Sequence, residues 1–161
     1  MTASAATEGG NAMVPPSHHE LTAVFPFLSA SEAEELLPCL TMRTVAADEV
    51  LMRAGDPADF MAFLLAGRLA VKKETSFPGK YILVAVIESG GMIGELAAVE
   101  KGARSTTVVA MEACRLLVLS SDAMARLLVE KNTVGVALLK RIIHVQGHRL
   151  RRASERLSWI L

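Results

Sequence analysis

Thirteen consecutive residues hold the most chemistry in this chain: Gly94-Glu95-Leu96-Ala97-Ala98-Val99-Glu100-Lys101-Gly102-Ala103-Arg104-Ser105-Thr106. A glycine-led turn opens a short run of good helix formers. A carboxylate stands at the start of that run, and an arginine followed by hydroxyls comes nine residues after it. The start of a helical turn presents unpaired N–H groups and a partial positive charge, which suits a phosphate. A guanidinium adds a planar fork able to grip two phosphate oxygens at once. A carboxylate repels phosphate but accepts hydrogen bonds from a sugar hydroxyl. Gly94, Glu95, Leu96, Ala97, Arg104, Ser105 and Thr106 are therefore the candidate site, and their combined chemistry is capture of a compact phosphorylated sugar. Taken singly, Arg104 also fits a surface arginine after a turn, and Glu95 an acid at a helix N-terminus.

The elements that must position these residues follow from hydrophobic periodicity. Between Thr41 and Leu119 the pattern is short and strand-like, with candidates at 42–45, 50–53, 60–65, 69–74, 81–87, 106–110 and 114–119 and a minor one near Ile93. Turn residues separate them: Ala54-Gly55-Asp56-Pro57, Ala66-Gly67, Phe77-Pro78-Gly79 and Ser89-Gly90-Gly91. Many short strands at this spacing indicate a β-sandwich or barrel. The 81–87 run is apolar apart from one tyrosine hydroxyl, which predicts a strand buried on both faces.

Helices flank this region. Residues 29–40 form a helical pattern in which Ser29 with Glu32, or Ser31 with Glu34, offers a capping box. Pro38 falls near its end. Ser120 or Ser121 can cap a second helix carrying Met124, Leu127 and Leu128. Beyond it Val136, Leu139, Ile143, Gln146, Leu150, Ala153, Leu157 and Ile160 alternate spacings of three and four, a coiled-coil seam with one polar break at Gln146. Leu138, Ile142 and Val145 form a second stripe, so one face can pack on the strands while the other meets a second copy. Gly147 is a weak point in that helix or a hinge, costing about 1 kcal/mol against alanine.

Composition narrows the remaining classes. The chain has 161 residues, 52% hydrophobic and 21% charged, enough for one globular domain. Lysine plus arginine and aspartate plus glutamate balance at 17 each, and aromatics are 4%. That is neither the charge of an obligatory nucleic-acid binder nor a base-stacking platform. Cys39 and Cys114 sit in apolar stretches without metal-ligand spacing, as reduced core residues do. The N-terminus lacks a signal-peptide pattern and no apolar run approaches a membrane span, so a cytoplasmic location is expected. No catalytic set emerges. All four histidines, His18, His19, His144 and His148, lie outside the strand region, against a metal-dependent enzyme with strand-borne ligands. Asp56 and Asp59 read as turn residues, and the basic run Lys140, Arg141, Arg149, Arg151, Arg152 and Arg156 as a solvated helix face.

The segment 94–106 resembles the phosphate-binding cassette of the cyclic nucleotide-binding domains: Phe-Gly-Glu-Leu-Ala, a few variable residues, then Pro-Arg-Ala/Ser/Thr-Ala-Thr. Gly94, Glu95, Leu96, Ala97, Arg104 and Ser105 match, while Ile93 replaces the usual aromatic and Ala103 a frequent proline. The likeness continues in the turn Gly55-Asp56-Pro57-Ala58-Asp59, the strand and glycine turn that follow it, and the closing strands 107–119. It covers about 25–150. The resemblance implies a mainly β fold, an eight-stranded jelly-roll with an N-terminal helix and a long C-terminal helix. It divides the chain into a flexible leader (1–19), the β-roll with flanking helices (20–130) and a lid or dimer helix (131–161). It implies a non-enzymatic sensor of a 3′,5′-cyclic nucleotide, cAMP or cGMP, with no other cofactor or metal. Arg104 would hold the exocyclic phosphate oxygens and Glu95 the ribose 2′-hydroxyl. The amides of Leu96 and Ala97 and the hydroxyl of Ser105 would face the phosphate, and Thr106 or Thr107 could reach the base. The C-terminal helix would lid the ligand and could pair with a second copy, passing the signal to an effector protein. With the chain ending at Leu161, no helix-turn-helix follows and DNA binding is not expected. Two rivals share this fold: an interaction module without ligand, and a sensor of another ligand such as haem.

Overall fold

The computed structural model describes residues 14–159. Eight strands run β1 (Thr41–Val45), β2 (Val50–Met52), β3 (Phe60–Ala66), β4 (Leu69–Glu74), β5 (Tyr81–Ile87), β6 (Met92–Ile93), β7 (Thr107–Ala110) and β8 (Cys114–Ser120). Helices α1 (His18–Val24) and α2 (Ala30–Leu36) precede them, and α3 (Ser121–Glu130) and α4 (Asn132–Ser158) follow. The strands form two antiparallel four-stranded sheets, ordered β1-β8-β3-β6 and β2-β7-β4-β5. This is the eight-stranded jelly-roll that the resemblance implies, with each strand within one or two residues of the periodicity reading.

Two cores hold it together. Alternation along β3 sends Ala62 and Leu64 between the sheets, where they meet Leu51, Leu69, Ile93, Val108, Ala110 and Leu116. The intervening Met61, Phe63 and Leu65 face the helices, packing with Phe25, Leu36, Leu117, Met124, Leu127, Val134, Leu138 and Ile142. β3 is therefore buried on both sides, and its uninterrupted apolar run satisfies two cores at once.

The strand expected to be doubly buried is the exception. β5 pairs only with β4 at the edge of its sheet, and Tyr81, Ile82 and Leu83 are more than half exposed. Only its later half, Val84, Ala85 and Ile87, turns into a cavity. A continuous apolar run does not distinguish a central strand from an edge strand, because what covers the outer face is set by the helices, whose buried residues pack against the β3 sheet.

Capping fixes the helices. Ser17 with Glu20 and Ser29 with Glu32 form complete capping boxes for α1 and α2, and Ser120 caps α3. His18 and His19 are the first two residues of α1. Pro38 shortens α2, and a 3-10 turn at Leu37–Cys39 replaces its final residues. Arg115 on β8 ties α1 down through Glu20 Oε1 at 2.6 Å and the Val14 carbonyl at 3.0 Å.

Of the two stripes of α4 it is the second that packs inward, with Leu138 and Ile142 buried beside Val134 and Gly135, joined by Leu139 of the first. A Cβ on Gly135 would lie 2.8 Å from Leu128 Cδ2 and 3.0 Å from Leu128 Cα. This glycine therefore lets α3 and α4 approach closely. Gly147 does not break α4, which runs through it, and the space beside it is open apart from Arg151. No helix among the described residues is long and apolar enough to cross a membrane.

Candidate functional site

A cavity of about 340 Å³ opens where β4, β5 and the 94–106 segment meet α4. Gly94, Glu95, Leu96, Arg104, Ser105 and Thr106 all line it. Ala97 contributes backbone to the 3-10 turn Glu95–Ala98, and its side chain lies outside the described set.

Arg104 is held by backbone on one side and an aromatic ring on the other. Its N–H donates to the Asp56 carbonyl at 2.8 Å, and its carbonyl accepts from Gly55 N–H at 2.9 Å. Ala58 N–H reaches the Gly102 carbonyl at 2.8 Å, so the Gly55-Asp56-Pro57 turn clamps the loop carrying the arginine. The guanidinium lies 4.5 Å from the centroid of the Phe60 ring, a cation–π contact worth about 1–2 kcal/mol when desolvated.

Arg104 is only 7% exposed. Its one ionic partner among the described residues is Asp59, at 3.4 Å, whose own side chain is 74% exposed. Burial pulls the guanidinium pKa below the ordinary arginine value, and Asp59 and Asp56 partly restore it. An arginine remains charged at physiological pH despite such a shift. A buried cation with five N–H donors and a single long hydrogen bond among the described residues has most of its capacity left for an anion.

Gly94 makes this arrangement possible. Its φ of +69° is left-handed, and a Cβ there would fall 2.7 Å from Arg104 Nη1 and 3.1 Å from the Phe60 carbonyl. The glycine supplies both the turn into the 3-10 segment and the space for the guanidinium.

Glu95 is 3% exposed, and α4 reaches it. Gln146 Nε2 and Arg149 Nη1 both donate to Glu95 Oε1. Arg149 Nη2 also donates to the Met92 carbonyl at 3.0 Å. Oε2 is buried and accepts from no described residue.

The structure thus gathers the candidate residues and adds four. Phe60 and Asp59 attend Arg104, although Asp59 had been read only as a turn residue. Gln146 and Arg149 attend Glu95. Gln146 was visible as the polar break in the apolar seam, and Arg149 lies three residues on, the spacing that shares a helix face. Nothing local in the sequence links either to Glu95, about fifty residues away. Thr107 is engaged elsewhere, its hydroxyl accepting from Ala54 N–H at 3.0 Å. Among the described residues no cluster of histidine, cysteine and carboxylate could hold a metal. His18 and His19 lie on α1, and His144 and His148 on α4.

The family model for the cyclic nucleotide-binding domain matches residues 42–131, more than half of the chain. The chain belongs to the cyclic nucleotide-binding domain family. A protein of Rhodopseudomonas palustris, named provisionally as a potassium channel, is 28% identical over 111 residues, covering 69% of this chain and 26% of the relative. The chain therefore spans about a quarter of that relative's length. Among solved structures, a cyclic nucleotide-binding domain from Methylobacillus flagellatus superposes with a TM-score of 0.79 at 24% identity, over 86% of this chain and 82% of that one. A mutant regulatory subunit of a cAMP-independent protein kinase A from Trypanosoma brucei, bound to cAMP in its A site, gives 0.68 at 18% identity, over 86% of this chain and 49% of that one. At these identities the two structures speak to the fold.

Proposed function

We propose that this cyclic nucleotide-binding domain is a non-enzymatic sensor that takes a 3′,5′-cyclic nucleotide, cAMP or cGMP, into the cavity between the β-roll and α4. The observation that carries this reading is a pair of buried opposite charges in one cavity: Arg104, with little internal partnership, and Glu95, with one oxygen unpartnered. The guanidinium would take the exocyclic phosphate oxygens, assisted by the amides of Leu96 and Ala97 and the Ser105 hydroxyl. Glu95 would accept from the ribose 2′-hydroxyl. Val71, Val84, Ala85 and Ile87 give an apolar wall for the base, and Thr106 is the hydroxyl nearest in sequence that could touch it. The volume falls at the lower end of the about 300–1,000 Å³ usual for small-molecule sites.

The signal would leave through α4. A ligand shifts a conformational equilibrium only by its differential affinity for the two states, and α4 lines the cavity through Gln146 and Arg149, so its position can depend on occupancy. The outer face of α4 exposes Val136, Ile143, Leu150 and Leu157 at seven-residue intervals, a heptad stripe fitted to the same helix of a second copy. Leu150→Lys should then shift sedimentation from dimer to monomer. Equal sedimentation of the two proteins would remove the dimer from this reading.

Calorimetry with cAMP and with cGMP tests the sensor directly. Saturable binding to wild type that is lost in Arg104→Ala supports it. No heat and no thermal shift with either nucleotide overturns it in favour of a ligand-free interaction module, a reading to which the internal Glu95–Arg149 pair also lends support.

A further inference from the structure

Two donors from α4 converge on one oxygen of Glu95. Gln146 Nε2 and Arg149 Nη1 are both bonded to Oε1, while Oε2 is buried and accepts from none of the described residues. An ionised carboxylate oxygen has two lone pairs. Oε1 is therefore fully used, and Oε2 has its whole accepting capacity in hand. Leaving such an atom buried and unmatched is unfavourable, a penalty that any hydroxyl donor entering the cavity relieves.

The same arginine also donates Nη2 to the Met92 carbonyl at 3.0 Å, immediately before the turn that carries Gly94. Its planar fork thus spans the carboxylate and the backbone of β6, a pairing that the ammonium of lysine reproduces poorly. The Arg149 side chain is 41% exposed and Glu95 only 4%. The pair is therefore a solvent-facing latch on a buried carboxylate, not a sealed interior pair.

We propose that Arg149 and Gln146 are positioning residues that fasten α4 to the cavity through Glu95 and aim its second oxygen at the ligand's sugar hydroxyl. The ligand and α4 then use opposite oxygens of one carboxylate. They do not compete for it. Hydroxyl binding and helix docking reinforce each other, because each pins the carboxylate where the other needs it. The ligand half of this statement rests on the cyclic nucleotide reading above. The latch itself does not.

Two measurements separate the halves. In ligand-free protein, hydrogen exchange over residues 142–152 is compared among wild type, Glu95→Gln, Arg149→Ala and the double variant. Each single change should speed exchange about tenfold, equivalent to about 1.4 kcal/mol, and the double variant no more than the faster single. Additive effects, or unchanged exchange in the singles, overturn the latch. Arg149→Lys provides a milder variant that keeps the charge, and its exchange should fall between wild type and Arg149→Ala.

In the second measurement, cAMP and 2′-deoxy-cAMP are titrated into wild type and Arg149→Ala, with the cGMP pair alongside. Arg149→Ala should weaken the hydroxyl-bearing ligand about tenfold and the deoxy ligand less than about threefold. An equal loss for both, or tighter binding of the hydroxyl ligand, overturns the shared-carboxylate geometry. Failure of wild type to bind any of these nucleotides overturns the ligand half together with the cyclic nucleotide reading, while the exchange cycle still decides the latch.

Discussion

The two charged ends of the cavity are built differently. Arg104 is held entirely within the β-roll: the Gly55–Ala58 turn clamps its backbone, Phe60 lies against its guanidinium, and Gly94 gives it room. Glu95 is one residue from Gly94 in sequence, yet its polar partners come from α4. One end is a buried cation held by a turn, a ring and a glycine of the β-roll itself. The other is shared with a helix that touches it through side chains. In the proposed function the fixed end would set affinity, and the shared end would let occupancy be felt elsewhere. If this division is real, changes at the Arg104 end should alter affinity without touching α4, and changes near Glu95 should alter both.

Arg104→Ala should produce the largest effect. Removing one member of a desolvated, charge-assisted pair costs about 3–5 kcal/mol, so calorimetry should show affinity falling about 100-fold or more. Hydrogen exchange along α4 in the ligand-free variant should match wild type. A variant that loses affinity and also loosens α4 would break the comparison, because it would tie the fixed end to the helix.

Gly94→Ala comes next. A side chain at a φ of +69° costs about 1–3 kcal/mol, and its Cβ would meet Arg104 Nη1 and the Phe60 carbonyl. Affinity should drop about tenfold with a lower melting temperature, and Gly94→Asn, which tolerates the left-handed region better, should not rescue binding because the steric conflict remains. Rescue by asparagine would mean that only the backbone conformation matters and that the guanidinium can shift freely.

Phe60→Leu should cost less still. It keeps apolar contact but removes the ring beneath the guanidinium, a loss of about 1–2 kcal/mol, or roughly 5- to 30-fold in affinity. Because Phe60 begins β3 and is only half-buried, the fold should survive, and the far-ultraviolet circular dichroism should be unchanged.

Most of the Arg104 end was legible in the sequence, though not Phe60 and Asp59 as partners of the guanidinium, and little of the other end was, for the same reason. The glycine turns, the strand run and the cassette are local patterns, and the fixed end is assembled from local patterns joined by sheet pairing. The partners of Glu95 lie 51 and 54 residues away. Their trace in the sequence was one polar residue interrupting an apolar seam, and the basic character of α4 hid Arg149 among five other cations. β3 and β5 make the same point for the fold. Both are seven-residue apolar strands, and only the placement of the helices over one sheet decides that the first is sealed and the second exposed. Local chemistry specifies the strands and their turns. Which face is covered, and which distant side chain completes a buried carboxylate, are properties of the packed whole.

The smallest predicted effect distinguishes the two ends most cleanly. Gly147 sits between the two latch residues, Gln146 and Arg149, in a helix that runs unbroken through it. A Cβ there would meet nothing closer than Arg151 Nη1 at 3.5 Å. Gly147→Ala therefore adds no clash and removes backbone freedom from the unfolded chain and from any bent form of α4, stabilising the helix by about 0.8–1.0 kcal/mol. If α4 docks as a straight helix onto Glu95, the substitution should raise the melting temperature by a few degrees and slow exchange around residues 146–149. Affinity of the fixed end, read with a 2′-deoxy nucleotide that engages only the phosphate side, should stay within about twofold of wild type, well inside the 1.4 kcal/mol that a tenfold change requires. A Gly147→Ala protein with faster exchange at α4 would show that this glycine bends to let Gln146 and Arg149 reach the carboxylate together. The shared end would then depend on a hinge in the helix and not on its rigidity.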